Sequence, residues 1–422
     1  MKTKPILLAL ISVFLVGCSP SENKEKEKEL AFVQENIDDA AVQLKLMLED
    51  VSKREKRSYP RTMNSKGGLR TTGMYDWTPG FFPGSLWYLY ELTGDEYWRD
   101  HAKDWTESLE KLQYFTGHHD LGFMVYCSYG NGLRLTGDST YDDIIYQAAK
   151  SLASRYNPNT KTIKSWEYRL AWNDTVEWFY PVIMDNMMNL ELLTYASKHN
   201  NDSSLMKIAL EHSNSTQKNH LRDDFSTYHV VNYDTISGAV LNQGTNQGLS
   251  DNSTWARGQA WGIYGFTMMY RETHVEAYLA TAENLANWYI ERLPYDLIPY
   301  WDFNAGQPGY NPEIKSFATQ FQGEYLKDVS AAAIVTSSLF ELYEITKKKD
   351  YLDYAVKMLH QLASSNYKAL PNTNANFILK HSVGSIPHES EIDKPLVYAD
   401  YYFLEALVRY RNLLLNGSIY KR

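Results

Sequence analysis

Two aspartates stand in sequence surroundings that suit acid–base chemistry. Asp185 lies in the stretch PVIMDNMMNLELL, where isoleucine and methionine side chains flank it. A carboxylate among apolar neighbours is costly unless it is hydrogen-bonded, paired or protonated. Asp120 lies in GHHDLGF, which is predicted to be a loop. If both carboxylates face one pocket, their repulsion favours the protonated form of one of them and provides a proton donor near neutral pH.

The position of Asp185 depends on a predicted helix. Pro181 is typical of a first helical residue, which would place Asp185 in the first turn, at the rim of a pocket. Asn189, four residues later, would share that face and hold the carboxylate by a hydrogen bond. For either aspartate alone, a turn or cap acid that complements the helix dipole is the simpler interpretation. The catalytic hypothesis therefore depends on the rest of the site.

A predicted helix in DNSTWARGQAWGIYGF adds a cation. Arg257 and Trp261 lie four residues apart and share one face, and Thr254 or Ser253 would cap the helix. The guanidinium fork binds carboxylates with two parallel hydrogen bonds. Its partner is either a substrate carboxylate or a protein acid, and the sequence leaves both open.

Further polar residues could complete the site. His229 and Gln247 lie upstream of this helix and would form a polar wall, although a lone histidine is more often structural. Asp328 and Ser330 in DVSAAAIVTSSL are predicted to cap another helix. The sequence contains no phosphate-binding loop, dinucleotide fingerprint, G-x-S-x-G motif or histidine–cysteine cluster at metal-ligand spacing. We therefore expect carboxylate chemistry without a metal or cofactor.

The composition excludes several classes of partner. The chain has 422 residues, of which 14% are aromatic, enough for a large core in one or two domains. A formal net charge of -9 argues against nucleic acid and anionic membrane surfaces as partners. The 11 tryptophans and 33 tyrosines suit sugar rings, whose C–H faces stack on aromatic side chains, although core packing also explains many of them.

The N-terminus resembles a bacterial lipoprotein signal. Two lysines precede an apolar run that is too short for a stable membrane span, and the run ends in LVGC. Residues 1–17 are therefore expected to be removed and Cys18 to be lipidated; an ordinary secretory signal is the alternative. Residues 18–30 would form an unfolded charged tether, and residues 31–422 one catalytic domain. Cys127 would then be a plain buried thiol without a disulfide partner.

One pattern predicts the architecture. An apolar helix, a short polar turn and a second helix recur five times, with an alanine marking the second helix at Ala102, Ala148, Ala209, Ala282 and Ala355. Helices at about 30–53 and 398–414 would supply a sixth pair. Six hairpins whose ends meet predict an all-α (α/α)6 barrel; an open solenoid is the alternative, but the last helix is too apolar to be its cap. The alternation in TYHVVNYD predicts a short β-hairpin on the ring.

Taken in order, these segments resemble the unsaturated glucuronyl hydrolases of glycoside hydrolase family 88. The matching stretches are DWTPGFFPGSLW, HHDLGF, DNMMN, WARGQAWGIYGF, PYWDF and YADYYFLEAL, from about Asp76 to the C-terminus. The resemblance implies an (α/α)6 barrel that works without a metal. It also implies removal of a C4=C5 unsaturated uronate from the non-reducing end of lyase-generated oligosaccharides, by hydration of the double bond.

The resemblance also assigns roles to individual residues. Asp185 matches the general acid/base of the family and Asp120 its partner carboxylate. The positions that hold the uronate and shape the water site are matched by His229, Gln247, Arg257 and Trp261. Trp77 and Trp166 resemble aromatic stacking walls, with Trp172 as an alternative to Trp166.

Three other functions fit parts of the pattern. Unsaturated rhamnogalacturonyl hydrolases share the ring and the chemistry, and an inverting glycosidase would hold two acids roughly 6.5–9.5 Å apart around a saturated sugar. A non-catalytic sugar-binding lipoprotein is disfavoured, because a binding protein gains little from a carboxylate in an apolar pocket. Tolerance of sulfated sugars stays open, since the HSVGSIPHESEID segment departs from the family's versions.

Overall fold

Helices dominate the structure. The computed structural model describes residues 20–171, 176–312, 317–321, 323 and 325–420. These residues contain twelve α-helices: α1 Pro20–Ser52, α2 Phe81–Thr93, α3 Glu96–Glu107, α4 Asn131–Thr136, α5 Thr140–Ala153, α6 Leu190–Asn200, α7 Ser203–Asn219, α8 Ala256–Thr273, α9 Glu276–Ile290, α10 Val329–Thr346, α11 Lys349–Leu362 and α12 Val397–Asn416.

Short strands lie in the connections between the helices. They are β1 Tyr59–Met63, β2 Leu69–Thr72, β3 Tyr156–Asn157, β4 Thr162–Ile163, β5 Arg169–Leu170, β6 Glu177–Trp178, β7 Pro181–Ile183, β8 Val230–Tyr233 and β9 Val240–Gly244. They form the pairs β1–β2, β3–β4 and β5–β6 and a three-stranded sheet in the order β7-β8-β9. Both pairings in that sheet are antiparallel, with Val182 opposite Val231 and Val230 opposite Gly244. The predicted hairpin in TYHVVNYD is confirmed as β8–β9.

The inner helices form a closed ring. In order they are α2, the π-helix Gly122–Gly130 with α4, the 3-10 helix Met184–Asn189 with α6, α8, α10 and α12. Each contacts the next, and α12 packs against α2. The outer helices α3, α5, α7, α9 and α11 pack on the ring, and α1 packs on α12 and α2. The predicted (α/α)6 barrel is confirmed.

The five alanines of the repeat lie on the outer helices. Each is fully buried, because a methyl side chain lets an outer helix approach the inner ring closely. They are Ala102, Ala148, Ala209, Ala282 and Ala355. The pattern therefore identified the outer helix of each hairpin.

Each inner helix ends in a left-handed residue. This conformation satisfies the last carbonyls of the helix and reverses the chain into the next outer helix. The residues are Gly94, Gly137, Asn201, His274, Lys347 and Gly417, with φ between 54° and 74°. The short turns therefore collect on one face of the barrel, and the long connections lie on the opposite face, where the inner helices begin.

The first helix differs from its prediction. It begins at Pro20, whereas the sequence predicted an unfolded tether up to about Leu30. Lysine and glutamate are good helix formers and can pair along a helix, so the charged segment continues it. Glu29 is buried and bonds Tyr410 Oη at 2.9 Å and His360 Nε2 at 2.8 Å, which holds this part of α1 against the ring.

Two local predictions near the site are wrong. Pro181 lies in β7 and does not begin a helix; β7 is an edge strand, where a residue without an amide hydrogen is tolerated. The residue before α8 is Trp255, which makes no side-chain cap bond. Ser253, a predicted cap with Thr254, instead donates from its hydroxyl to Asp302 at 2.6 Å.

Candidate active site

The predicted site residues lie on the face where the inner helices begin. Asp120 lies in the turn before the π-helix, and Asp185 lies in the first turn of the 3-10 helix. Arg257 lies in the first turn of α8, and Asp328 immediately precedes α10. The long connections that contain β3 to β9 border this face.

A close contact joins the segments of the two aspartates. The Phe123 amide donates to Asn189 Oδ1 at 3.2 Å. A Cβ atom on Gly122 would come within 2.5 Å of the Asn189 Cα, so only glycine fits there without a shift. Asn189 therefore links the two helix starts, and the prediction that it holds Asp185 is wrong.

His229 lies beside Asp185. The Asn246 amide donates to His229 Nδ1 at 3.2 Å, so Nδ1 is the acceptor and Nε2 has the proton. The ring packs on Trp255, with centroids 4.4 Å apart. His229 Nε2 lies 3.3 Å from Asp185 Oδ2, but neither atom makes a hydrogen bond of good geometry within the described residues. Asp185 therefore keeps one oxygen for another partner.

Asp120 lies between two histidines. Its Oδ2 is 3.0 Å from His118 Nδ1, and its Oδ1 is 3.3 Å from His119 Nε2. Burial alone would raise the pKa of Asp120, but the attraction of His119 and the hydrogen bond from His118 outweigh burial and lower that pKa. Asp120 is therefore ionised at neutral pH, which makes it a poor proton donor.

His119 is a neutral imidazole beside both aspartates. Burial lowers its pKa, and attraction by Asp120 and Asp185 offsets this only in part. Ser165 Oγ accepts a hydrogen bond from the Ile183 amide at 3.0 Å, so its hydroxyl hydrogen is left for His119 Nδ1 at 3.5 Å. The His119 proton is then on Nε2, towards Asp120. The sequence analysis missed His118 and His119 as site residues, although the HHD run was their signal.

Arg257 pairs with a protein acid. It is 1% exposed, and its Nη1 donates to Asp328 Oδ2 at 2.7 Å. Asp328 also caps α10 as predicted, by accepting from the Ser330 amide at 3.2 Å. Further donors of the guanidinium bind the carbonyls of Val383 and Gly384. Arg257 thus fixes the connection before α12, which comprises residues 363–396, to the start of α10.

The charge of Arg257 nevertheless reaches Asp185. Burial lowers its pKa, but attraction by nearby acidic groups, Asp185 among them, outweighs burial and raises it. Gln247 Nε2 donates to the Gly384 carbonyl at 3.3 Å, the same carbonyl that Arg257 binds. Gln247 and Arg257 therefore belong to one wall, next to Asp185.

The predicted tryptophans lie at different depths. Trp261 is 0% exposed and packs against the rings of Phe123 and Tyr402, so it lies beneath the site, and its contact with substrate stays a prediction. Trp77 is half-buried and packs edge to face on the rings beneath it. Trp166 is half-buried, with the Arg169 guanidinium 4.9 Å above its ring. Trp172, the alternative to Trp166, lies outside the described residues.

Several buried polar atoms near Asp185 have no hydrogen-bond partner within the described part of the chain. They are Asp185 Oδ2, His229 Nε2, His119 Nε2, Asn186 Oδ1, Asn189 Nδ2 and Trp261 Nε1. Buried polar atoms are normally paired. This concentration indicates a site that receives a polar ligand. No group of three or more histidine, cysteine or acidic side chains suited to a metal ion occurs among the residues that the structure describes.

Three further side chains have structural roles. Cys127 lies in the π-helix, and burial raises the pKa of its thiol, so it stays protonated. Trp301 is fully buried, and Asp302 accepts from the Leu249 amide at 2.9 Å.

Comparisons with known proteins agree with this architecture. A family model described as Glycosyl Hydrolase Family 88 matches residues 47–306. An "Unsaturated glucuronyl hydrolase" of Formosa agariphila is 48% identical over 362 residues, which cover 85% of this chain and 86% of that protein.

Solved structures match nearly the whole chain. An unsaturated glucuronyl hydrolase specific for heparin is 41% identical, with a TM-score of 0.82, over 91% of this chain and 98% of that chain. An Asp-to-Asn variant of the unsaturated glucuronyl hydrolase from Streptococcus agalactiae, complexed with dGlcA-GalNAc6S, is 26% identical, with a TM-score of 0.70, over 97% of this chain and 98% of that chain.

Proposed function

Because the chain belongs to Glycosyl Hydrolase Family 88, we propose that it releases a C4=C5 unsaturated uronate from the non-reducing end of lyase-generated oligosaccharides. The main support is the geometry of Asp185, a buried carboxylate with one oxygen unpaired and 3.3 Å from His229 Nε2. The ionised Asp120 lies nearby. The heparin specificity and the dGlcA-GalNAc6S complex of the related proteins support glycosaminoglycan fragments as the substrate class.

The chemistry needs one proton donor and one proton acceptor. The substrate double bond is an enol ether conjugated to the carboxylate, so protonation of C4 leaves positive charge on C5 and the ring oxygen. Water adds to C5 and loses a proton. The resulting hemiketal opens to a ketone at C5, and the aglycone leaves C1 as an alcohol. One residue that gives a proton to C4 and then takes one from water completes the cycle.

Asp185 suits both steps. Its Oδ2 has no hydrogen-bond partner within the described residues, and His229, whose tautomer is set by Asn246, lies 3.3 Å from it. Asp120 cannot supply the proton, because the neighbouring histidines keep it ionised. We assign Asp120 to accept hydrogen bonds from substrate hydroxyls, which orients C4 towards Asp185.

Arg257 has a different role from the two-bond grip that the sequence predicted. Its guanidinium is occupied by Asp328 and by backbone carbonyls of the connection before α12. We propose that it stabilises the uronate mainly by charge, from behind the wall that it shares with Gln247. A buried cation can act on the uronate without touching it, because water and salt screen charges poorly inside the protein.

The relatives also distinguish among the alternatives. Their substrates, heparin and dGlcA-GalNAc6S, support a glucuronide of a glycosaminoglycan over a rhamnogalacturonan fragment. Hydration and inverting glycoside hydrolysis differ in the atom that receives a solvent proton. Only hydration labels C4, and only an ordinary glycosidase accepts a saturated glucuronide.

The test is a panel of unsaturated disaccharides from chondroitin, hyaluronan, heparin, pectin and ulvan. Turnover is measured as loss of the ultraviolet absorbance of the double bond, and one reaction is run in heavy water. We expect turnover of glycosaminoglycan disaccharides and one solvent deuteron at C4 of the product. Absence of deuterium at C4, or hydrolysis of a saturated glucuronide, would overturn the proposed chemistry.

We also propose that the protein is lipid-anchored through Cys18 after removal of residues 1–17. The support for this proposal is the LVGC sequence. Cys18 itself lies outside the described residues. No helix in the described part of the chain has the length and apolarity required to cross a membrane. In this proposal the lipid on Cys18 is the contact with the membrane. One acyl chain gives only reversible binding, so stable anchoring needs more than one.

A further inference from the structure

One cation at the edge of the site has no carboxylate partner. Arg169 lies in β5 and is half-buried, and within the described residues it forms no ion pair; its one side-chain bond is to an amide oxygen. Burial lowers its pKa, and no acidic group in the described part of the chain offsets the effect. Neighbouring cations differ: Arg155 and Lys164 both pair with Glu167, at 3.1 and 2.7 Å. A half-buried charge without a partner is costly, and a ligand anion would remove that cost.

The Arg169 guanidinium is held in place. Its Cζ lies 4.9 Å from the centre of the Trp166 ring, and its Nη1 donates to Asn246 Oδ1 at 3.4 Å. The Asn246 amide in turn donates to His229 Nδ1, and His229 lies beside Asp185. One residue therefore separates this guanidinium from the histidine of the catalytic centre.

The connection before α12 borders the same space. It brings His388 towards Arg169: burial lowers the pKa of His388, and the charges of Arg169 and His229 lower it further. His388 Nδ1 lies 2.7 Å from Ser385 Oγ. The group that this connection places near the guanidinium is thus a neutral imidazole, which leaves the positive charge of Arg169 uncompensated.

We propose that Arg169 binds an oxyanion, a sulfate ester or a carboxylate, on the sugar next to the unsaturated uronate. The guanidinium lies over the Trp166 ring and uses Nη1 for Asn246, and its Nε and Nη2 make no hydrogen bond within the described residues, so they offer paired N–H donors that match an oxyanion. Arg169 is partly exposed, whereas Asp120 and Asp185 are buried, so it lies nearer the mouth of the site. The inference rests on the proposed function, which places the uronate beside Asp185.

The uronate's own carboxylate does not suit Arg169. This group is attached to C5, next to the carbon that Asp185 protonates. The cation whose charge acts on Asp185 is Arg257. Both His229 and Asn246 lie between Asp185 and Arg169. An anion on the second sugar lies further out and can reach the guanidinium.

The test compares wild type with Arg169→Gln on unsaturated disaccharides that differ in the second sugar. Unsulfated chondroitin disaccharide, whose second sugar is uncharged, is the neutral substrate; the 4- and 6-sulfated forms test sulfate on that sugar, and unsaturated digalacturonate tests a carboxylate. We expect kcat/KM on at least one anionic substrate to fall roughly 10- to 100-fold, mainly through KM, as for loss of a charged hydrogen bond. Turnover of the neutral substrate stays unchanged.

Two control variants isolate the effect. Lys164→Gln removes the same charge from the same segment, but Lys164 is paired with Glu167, so we expect no change in preference. Arg169→Lys keeps the charge without the fork, so an intermediate loss is expected. Added salt should lower the kcat/KM of wild type on the anionic substrate. It should lower the kcat/KM of Arg169→Gln on that substrate less. Thermal unfolding confirms that each variant is folded.

Each outcome has one meaning. A selective loss on the sulfated substrates identifies a sulfate, and a selective loss on digalacturonate identifies a carboxylate. An equal loss on all substrates, no loss on any, or a wild type that cleaves only the neutral substrate overturns the role of Arg169. A wild type that cleaves neither these substrates nor any disaccharide of the panel described above refutes the proposed function itself.

Discussion

Asp120 and Asp185 have the same side chain, and their neighbours separate their chemistry. Two histidines keep Asp120 ionised. Asp185 has one histidine at 3.3 Å and one unpaired oxygen. Hydration of an enol ether needs one group that exchanges protons with substrate and water and another that orients the ring. The partners of each aspartate therefore assign the first task to Asp185 and the second to Asp120.

Replacing Asp185 by asparagine tests the first assignment. Asn has nearly the same shape and keeps an oxygen beside His229, but it cannot transfer the proton. We expect Asp185→Asn to fold and bind unsaturated disaccharide while kcat falls by about 10²- to 10⁴-fold. Binding is measured by calorimetry and turnover by absorbance. A variant that keeps wild-type turnover, with deuterium still entering C4, would leave the mechanism intact and exclude Asp185 from it.

Replacing Asp120 by asparagine should change the titration of His118. Burial lowers the His118 pKa, but the hydrogen bond and charge of Asp120 outweigh burial and raise it above its ordinary value. Without that charge, burial remains, so we expect the His118 pKa to fall in Asp120→Asn. Nuclear magnetic resonance of the imidazole measures the shift. An unchanged His118 titration would show that Asp120 does not set its charge.

The same pair gives a pH dependence of stability. The folded pKa of His118 is raised, so protonated His118 stabilises the fold. This stabilisation is fully present below about pH 6.5 and is lost as pH rises through the folded pKa. The folded pKa of Asp120 is lowered, so its contribution is present above about pH 3.9 and is lost as pH falls through the folded pKa. Asp120→Asn should remove the loss of stability at acid pH and, because the burial of His118 remains, should weaken or reverse the dependence that comes from His118, as measured by urea unfolding across this range.

Among the structural elements, Gly122 sets the distance between the two catalytic helix starts. A Cβ there would lie 2.5 Å from the Asn189 Cα and 2.7 Å from its Oδ1. We expect Gly122→Ala to destabilise the fold by roughly 1–3 kcal/mol, as for an overpacked contact, and to lower kcat by moving Asp120 away from Asp185. Urea unfolding and turnover measure the two effects.

A second glycine provides the control for this prediction. Gly73 has no atom within 4 Å of its added Cβ, so Gly73→Ala should change stability by less than about 0.5 kcal/mol. Equal behaviour of Gly73→Ala and Gly122→Ala would mean that the contact with Asn189 does not constrain the site.

The connection before α12 depends on Arg257. Lysine keeps the charge at this position but cannot bind Asp328, Val383 and Gly384 together, which the fork does. We expect Arg257→Lys to lower stability by roughly 2–4 kcal/mol, to speed amide exchange in residues 382–386 and to raise KM. If Arg257→Lys shows the same amide exchange in residues 382–386 and the same KM as wild type, this account is wrong.

The same elements explain what the sequence could and could not predict. One buried alanine recurs in the second helix of each of five hairpins, so the hairpins and the closed ring were predictable from local pattern. Pro181 was not, because a proline before an apolar run begins either a helix or an edge strand, and pairing with the distant β8 decides between them. The sequence also left the partner of Arg257 undecided, because Asp328 is remote in sequence and comes near Arg257 only when the ring closes.

At the scale of the whole molecule, the direction of α1 determines how an anchor would orient the barrel. Glu29 near its start contacts Tyr410 towards the end of α12, on the side of the short turns. Gln43, further along, donates to the Phe377 carbonyl at 2.9 Å, beyond the end of α11 and on the side of the site. The helix therefore runs from the short-turn face to the site face and begins at Pro20, two residues after Cys18.

If Cys18 is lipidated, the short-turn face lies next to the membrane and the site opens away from it. Asn23 to Lys28 are exposed at the start of α1, a helical spacer of about 9 Å. We expect wild type in the membrane fraction with an acylated N-terminus by mass spectrometry, and Cys18→Ser in the soluble fraction. Vesicle-bound wild type and soluble Cys18→Ser should turn over a disaccharide equally fast, because the membrane does not obstruct the site. Slower turnover on vesicles would reverse the proposed orientation, and an unmodified wild-type N-terminus would exclude the anchor.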